Sequence, residues 1–383
     1  MKKLFASLIM VFMLTALFVA MPAKAEQRIE KGKYKSLYAA DWHSGSVICA
    51  ENETEHLPIA SMCKIMTLVL CFEAVDSGNL NLDEEIQVSE TASGMGGSQV
   101  FLEAGASYKA SDLIESICIA SANDSCVAMA ERLAGGEEPF VRKMNEKAAS
   151  LGMDDTVFVN CTGLPESGQY SCAKDVSVML SELMRHEDYF RYSKIWMDKI
   201  THPKGRETEM ANTNKMIRSY NGCDAGKTGF TNEAGYCLAA SAMRGNMRIV
   251  CVVIGAQDSK TRFETVKQTF DYSFANYTNK VIIDGDTPFE ERCAVKGGKQ
   301  SSIAVRAERS SYVFCSRNDS DEIFYEAEFK KVSAPVKEGD VVGTVTVYKN
   351  NVQADKINLL ANESVKKCSY LDSLHDLAEN WNF

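Results

Sequence analysis

Pro58-Ile59-Ala60-Ser61-Met62-Cys63-Lys64-Ile65-Met66-Thr67 leads into an apolar run in which Ile65, Leu68, Val69, Phe72 and Val75 recur at three- and four-residue intervals. That spacing predicts a buried amphipathic helix, opened by Ser61, with one face against a core. Ser61 and Lys64, three residues apart, then share the opposite face at the first turn. An amine there can take the serine proton, and the free N–H groups of a helix N-terminus favour developing negative charge. Taken alone, Ser-x-x-Lys is also the pattern of an N-cap serine followed by a surface lysine, so the rest of the chain has to decide.

Working outward, residues 34–41 and 46–51 flank His43-Ser44-Gly45 and predict a β-hairpin. Residues 78–83 carry turn chemistry, and Gly94 to Gly97 with Ser98 form a flexible loop able to border a site. A helix over residues 110–120 stops at Ser121-Ala122-Asn123-Asp124-Ser125 and resumes through Cys126, Met129 and Leu133 to Gly135-Gly136. Ser121-Ala122-Asn123 reads either as a helix-capping turn or as two polar groups set into an apolar region. Residues 137–153 and 173–185 have helical periodicity. Then come three strand-like runs: Asp224-Ala225-Gly226-Lys227-Thr228-Gly229-Phe230, residues 236–243 and residues 248–255, the last two joined by Arg244-Gly245-Asn246-Met247. With the first hairpin they make an antiparallel sheet of about five strands with helices packed on it, an α+β domain. A final helix spans residues 258–277.

At 383 residues the chain is long enough for two domains. Lys2 and Lys3 precede an apolar run from Leu4 to Met21, and Ala23-Lys24-Ala25 is a small-x-small cleavage site, so residues 1–25 read as a secretory signal peptide rather than an uncleaved anchor. Its removal leaves a charge of about −13 with histidines neutral, which argues against a nucleic-acid partner. Residues 26–279 hold the motifs. Residues 280–366 are short β-rich runs and form a small all-β domain without a cluster of reactive side chains. Residues 367–383 end the chain in a tail whose Tyr370, Leu371, Leu374, Leu377, Ala378 and Trp381 fall on one helical face. This segment suits peripheral membrane contact or docking on the β domain, although Asp372, Asp376 and Glu379 stand where a membrane helix carries lysines. The thirteen cysteines show no Cys-x-x-Cys pair and no metal-ligand spacing, so they read as small buried residues, and no metal or other cofactor is implied.

Ser61-x-x-Lys64, Ser121-x-Asn123 and Lys227-Thr228-Gly229, in that order, resemble the motif trio of the penicillin-binding and β-lactamase superfamily of active-site serine enzymes. The words around them, Ala120 through Ala130, Gly163-Leu164 with Gly168-Gln169-Tyr170-Ser171, and Gly226 to Tyr236, are similar to the low-molecular-mass D-alanyl-D-alanine carboxypeptidases related to penicillin-binding protein 5, peptidase family S11. The resemblance implies the transpeptidase fold of that superfamily, helices on both faces of the sheet, with an added C-terminal β domain. It implies Ser61 as acyl-accepting nucleophile, Lys64 as general base and Ser121 as proton relay. Asn123 would hold Lys64 and the substrate backbone. Lys227 and Thr228 would grip a terminal carboxylate, Gly229 would let the strand approach the peptide, and the N–H groups of Ser61 and Phe230 would hold the oxyanion. Arg262 reads as a solvated helix residue or as a second cation for the carboxylate. The implied reaction removes the last D-alanine of peptidoglycan stem peptides through a serine ester, limiting cross-linking, with β-lactams as covalent inhibitors. A β-lactamase-like hydrolase, with Glu166 as its base, and a non-catalytic peptidoglycan-binding scaffold are the rival readings. The histidines, at 43, 56, 186, 202 and 375, lie outside all three motifs, which argues against a Ser-His-Asp triad.

Overall fold

The protein is described from a computed structural model covering residues 33–370 and 372. The signal peptide expected at 1–25, and the amphipathic segment beyond residue 372, lie outside these described residues.

The first hairpin forms where the two runs flanking His43-Ser44-Gly45 place it, with β1 at Ser36–Asp41 and β2 at Val47–Glu51. Two short strand pairs that carry little apolar alternation follow: β3 (Glu85–Gln87) with β4 (Ser107–Lys109), and β5 (Met197–Thr201) with β6 (Glu207–Ala211). The three later runs become β7 (Cys223–Thr231), β8 (Gly235–Arg244) and β9 (Met247–Ala256). Together they form a five-stranded antiparallel sheet in the order β2-β1-β9-β8-β7, so both termini of the N-terminal region contribute to its centre and β7 is an edge.

Successive residues of a strand face opposite sides, and here each side has its own helical cover. On one side Tyr38, Ala40, Ala239, Val250, Val252 and Ile254 join the larger core, with helices α1 (Lys64–Asp76), α2 (Ala110–Ile119), α3 (Asn123–Ala134), α4 (Glu137–Ser150) and α5 (Ala173–Leu183). On the other side Leu37, Ala39, Leu238, Ala240, Cys251 and Val253 meet Val266, Phe270 and Phe274 of α6 (Ser259–Asn276).

α1 departs from the expected amphipathic helix. Lys64 through Val69, Cys71 and Phe72 are all buried, because α2, α3, α4 and α5 pack around it as well as the sheet. A helix apolar on every side runs through the middle of a domain rather than along its surface, so the face bearing Lys64 opens into the interior. Ser61 lies just before it, in the 3-10 turn Ala60–Cys63.

Beyond α6 the chain is β-rich: β10 (Tyr277–Ile283), β11 (Cys293–Lys296), β12 (Ser302–Ile303), β13 (Val305–Ala307), β14 (Ser311–Ser316), β15 (Ile323–Phe329), β16 (Val332–Ser333), β17 (Val341–Lys349) and β18 (Val352–Ala361). The main sheet runs β13-β18-β17-β15, and separate apolar cores form around Val345, Val347 and Leu359 and around Val295, Ile303 and Val305. This region meets the first through Asn279, whose Nδ2 donates to Asp41 Oδ1 at 2.7 Å, and through His43 stacked on Tyr312. No helix among the described residues is long and apolar enough to cross a membrane. The cysteines from Cys49 to Cys315 form no disulfide, and all of them but Cys49 are buried, as small core residues are.

Candidate active site

Ser61 Oγ lies 2.9 Å from Lys64 Nζ. The turn that presents the hydroxyl is held by two close approaches. Ala60, before Ser61, has a left-handed backbone (φ 48°), which an L residue adopts only at a cost of about 1 kcal/mol or more. A Cβ on Gly163 would stand 2.0 Å from the Ala60 carbonyl oxygen, so only glycine fits opposite this turn. A Cβ on Gly229 would stand 2.6 Å from the Ile59 oxygen and 3.3 Å from Ser61 N, which puts β7 directly against the turn bearing the serine. Residues some 160 positions apart therefore border one groove, as the motif order requires.

The floor of the groove is residues 160–163. Their carbonyls accept from the start of α1: Asn160 from the Cys63 thiol, Cys161 from Thr67 and Thr162 from Lys64 Nζ. Two side chains hold this segment in shape. Asn160 Oδ1 accepts from the Gly163 N–H at 2.7 Å, and Gln169 Oε1 accepts from the N–H groups of Val159 and Asn160. Cys63 thus packs and braces, and Glu166 Oε2 accepts from Asn160 Nδ2 at 3.1 Å on an exposed loop.

Ser121 interrupts the passage from α2 to α3 with a left-handed backbone (φ 63°), and its Oγ is buried without a hydrogen-bond partner among the described residues. Asn123 starts α3; its N–H donates to Ser98 O at 2.7 Å and its Nδ2 to Gly96 O at 2.6 Å, while its Oδ1 is buried and unpartnered, so it does not hold Lys64 as the resemblance implies: the Lys64 amine bonds to Ser61 and Thr162 instead. The loop of Gly94 to Ser98 therefore borders the site, tied down by Asn123. Asp124 ties its continuation, accepting from the N–H groups of Val100 and Leu102 at 3.1 Å. Leu164 lies beside Gly97 and its Asn123 neighbour, linking this wall to the floor.

Lys227 and Thr228 of β7 are buried. Phe230 is 49 % exposed and its ring rests on Tyr236 at 4.3 Å, so its main chain rather than its side chain faces the groove. Arg262 is not the solvated residue of the first alternative above. It is buried, and Nη1 donates to Gly229 O at 3.1 Å and Cys237 O at 3.2 Å, because α6 lies across the sheet at this point.

The electrostatics are unusual. Lys64 and Lys227 are both buried, and among the described residues neither pairs with a carboxylate. Burial pushes the Lys64 amine below its ordinary value. Burial, and then the positive charge of Lys64, push Lys227 down to about 7. Arg262 adds a third cation behind Gly229. Buried cations with no carboxylate partner among the described residues are able to bind an anion.

The D-alanyl-D-alanine carboxypeptidase family model matches residues 23–258, and that of the penicillin-binding protein 5 C-terminal domain matches residues 277–367. The chain belongs to the D-alanyl-D-alanine carboxypeptidase family. It is 35 % identical to D-alanyl-D-alanine carboxypeptidase DacF of Bacillus subtilis (strain 168) over 386 aligned positions, covering 100 % of this chain and 99 % of that one. Penicillin-binding protein 5 of Haemophilus influenzae superposes with a TM-score of 0.69 at 25 % identity, over 88 % of this chain and 99 % of that one. Penicillin-binding protein D2 of Listeria monocytogenes, solved in its ampicillin-bound form, superposes with a TM-score of 0.57 at 29 % identity, over 63 % of this chain and 98 % of that one. In this serine-type carboxypeptidase family member, sequence reasoning passed over Asn160, Gln169 and Asp124 as braces. Gln169 stood inside a quoted family word, but nothing local marks an asparagine or aspartate that holds a distant loop.

Proposed function

We propose that this chain is an exported enzyme that removes the terminal D-alanine from peptidoglycan stem peptides through an acyl-enzyme on Ser61. The observation that carries the assignment is the 2.9 Å approach of Lys64 Nζ to Ser61 Oγ in a turn pressed against β7. A neutral amine has one lone pair and two N–H groups, so Lys64 accepts the serine proton while still donating to Thr162 O. The freed Oγ attacks the carbonyl of the penultimate D-alanine. The oxyanion is held by the N–H groups of Ser61 and Phe230. Ser121 passes a proton to the departing D-alanine amine, and water then hydrolyses the ester with Lys64 again as base. Lys227 and Thr228 anchor the terminal carboxylate, whose charge restores the proton that burial draws from Lys227. Gly229 lets the peptide lie close, and Asn123 offers its free Oδ1 to a backbone N–H of the substrate.

Penicillin acylates Ser61 on this reading, as its strained amide imitates the scissile bond. Glu166 is engaged by Asn160 on an exposed loop, which supports slow rather than rapid hydrolysis of the penicilloyl ester. Trimming donor peptides outside the cytoplasmic membrane limits cross-linking, and export rests on residues 1–25. Peripheral membrane contact through residues 367–383 rests on their sequence alone, and flotation with anionic vesicles tests it. The deciding experiment is mass spectrometry after incubation with benzylpenicillin and, separately, with an acyl-D-Ala-D-Ala peptide. An adduct on the Ser61 peptide together with released D-alanine is the expected result. Adduct formation that survives Ser61→Ala, or fast multiple turnover of penicillin without D-alanine release, overturns the reading.

A further inference from the structure

The wall of the groove that carries Gly96 and Ser98 continues to Phe101, whose backbone is left-handed (φ 61°) although it is a bulky aromatic with 55 % of its surface exposed. For this residue type such a conformation is a genuine outlier, and it persists only where neighbours impose it. Two sets of neighbours do so here. On the inner side the buried Asp124 carboxylate accepts from the N–H groups of Val100 and Leu102, both at 3.1 Å, and the side chains of these two residues are buried. On the outer side the carbonyl of Phe101 itself accepts from Arg206 Nη2 at 2.7 Å.

Arg206 stands at the tip of the β5–β6 hairpin, which is closed by His202 N–H on Arg206 O and Gly205 N–H on His202 O. The same guanidinium reaches the Glu103 carboxylate at 3.5 Å and Thr208 Oγ1 at 3.2 Å. His202, buried at the base of this tip, fixes it to β4. The Tyr108 oxygen accepts from Glu103 N–H at 3.1 Å, so its hydroxyl hydrogen points to His202 Nδ1 at 2.8 Å and the Nε2–H donates to Thr208 Oγ1 at 2.9 Å. Arg206 therefore reaches the wall from an anchored base. At its other end the wall is joined to the site: Gly96 O and Ser98 O accept from Asn123, and a Cβ on Gly97 would stand 2.8 Å from Asn123 Nδ2. A shift of the wall is thus a shift of Asn123.

We propose that Arg206 is a positioning residue for D-alanine release: by binding the Phe101 carbonyl from the hairpin tip it imposes the left-handed turn at Phe101, and that turn sets where Asn123 presents Oδ1 to the substrate backbone. Without the guanidinium, the Phe101 carbonyl turns to solvent and the backbone relaxes toward the ordinary regions. Gly96 O and Ser98 O then no longer stand as fixed acceptors, and Asn123 loses the orientation in which it meets the peptide, which is a loss of preorganisation. This rests on the proposed carboxypeptidase reading, which supplies the role of Asn123. It goes further by giving a task to a residue outside all three motifs.

The test is a two-by-two set of full chains, the unaltered protein, Arg206→Ala, Phe101→Asn and the double variant. Each is assayed for D-alanine release from Nα,Nε-diacetyl-L-Lys-D-Ala-D-Ala and, as a separate readout of Ser61, for the benzylpenicillin adduct at saturation. Arg206→Ala is expected to raise KM about fivefold, as for one hydrogen bond to the substrate. Its kcat should stay within about twofold and its Tm within about two degrees, because the Arg206 side chain is 44 % exposed. Asparagine tolerates left-handed backbone better than phenylalanine, so Arg206→Ala in the Phe101→Asn background should raise KM by less than about twofold. Arg206→Lys, which still has a donor for one carbonyl, should recover most of the lost affinity. Each comparison is made within one background, so a direct effect of Phe101→Asn on activity does not disturb it. A merely structural Arg206 would lower Tm and leave the KM of the folded protein alone, and that result overturns the proposal. An equal rise in KM in the two backgrounds overturns it as well. Either outcome, with D-alanine release and penicillin adduct intact in the unaltered protein, leaves the carboxypeptidase reading standing. Absence of both activities in the unaltered protein defeats that reading first, and the positioning role with it.

Discussion

The groove at Ser61 and the hairpin of β17 and β18 treat the same two difficulties, left-handed backbone and charge drawn wholly or partly out of water, in opposite ways. In the hairpin the left-handed positions are Asn350 and Asn351 (φ 50° and 63°), a residue type that tolerates them. Nearby, Arg309 meets Asp355 with two hydrogen bonds of 2.8 and 2.7 Å, and Ser311 supplies a third. Around the groove the left-handed residues other than glycine are Ala60, Ser121 and Phe101, none of which is suited to it, and among the described residues the buried cations Lys64 and Lys227 pair with no carboxylate. One region satisfies its own groups. The other leaves its cations without carboxylate partners among the described residues, and such local conflicts concentrate at functional sites.

Substitutions that break the contrast at the groove should cost activity and spare stability. The largest effect is expected from Ser61→Ala, which should lower D-alanine release by about four orders of magnitude or more and abolish covalent penicillin labelling. Lys64→Met should follow with a loss of about a thousandfold. Gly229→Ala must move its new Cβ away from the Ile59 oxygen, and a displacement of that kind next to the nucleophile should cost about a hundredfold in kcat/KM. An unchanged rate for Gly229→Ala would mean that the strand and the serine turn need not touch.

Lys227→Met sharpens the contrast, because stability and activity should move apart. A lysine whose folded pKa is depressed binds fewer protons folded than unfolded between that value, about 7, and its ordinary value near 10.4. Stability should therefore rise with pH across that window in the unaltered protein. Lys227→Met removes the penalty of a buried charge, so its Tm at pH 7 should be higher by several degrees while KM for an acyl-D-Ala-D-Ala peptide rises sharply. The pH profile of kcat/KM should be bell-shaped: the acid limb reports loss of the neutral Lys64 amine and the alkaline limb loss of the Lys227 charge. Because the two amines lie close enough to affect each other, the limbs belong to the pair.

Much of this was legible in the residues before any coordinates. Three ordered motifs brought Ser61, Lys64 and β7 to one groove and pointed to Ser121 and Asn123 as its other candidates, and strand-like runs bounded by turns gave the five strands their ranges to within two residues. The misreadings share a cause. Residues 65, 68, 69, 72 and 75 mark one apolar face, but Met66 and Cys71 on the other faces are apolar too, so α1 looked amphipathic when it is enclosed. Arg262 carries no local sign of burial, since its partners, Gly229 and Cys237, are carbonyls on strands far back in the chain. β5 and β6 were passed over because one residue in each, Ile200 and Met210, is buried while the rest face out.

The smallest expected effect comes from the hairpin region and is the control for all the others. Burial raises the Asp355 carboxyl, but hydrogen bonds from Arg309 and Ser311 outweigh it and hold the group below the usual carboxylate range. A depressed carboxylate stabilises the fold above its unfolded value near 3.9, and the contribution is lost as pH falls through the folded value. The Arg309 side chain is 56 % exposed and that of Asp355 19 %, so solvent screening reduces the pair to about 1 kcal/mol. Asp355→Asn should accordingly lower Tm at pH 7 by a few degrees, with the gap to the unaltered protein closing as the pH falls below about 4. D-alanine release by the folded variant should not change. If it fell with the Tm, the β-rich region and the groove would have to be one cooperative unit, joined through Asn279–Asp41 and the His43–Tyr312 stack, and the division of labour drawn between them would fail.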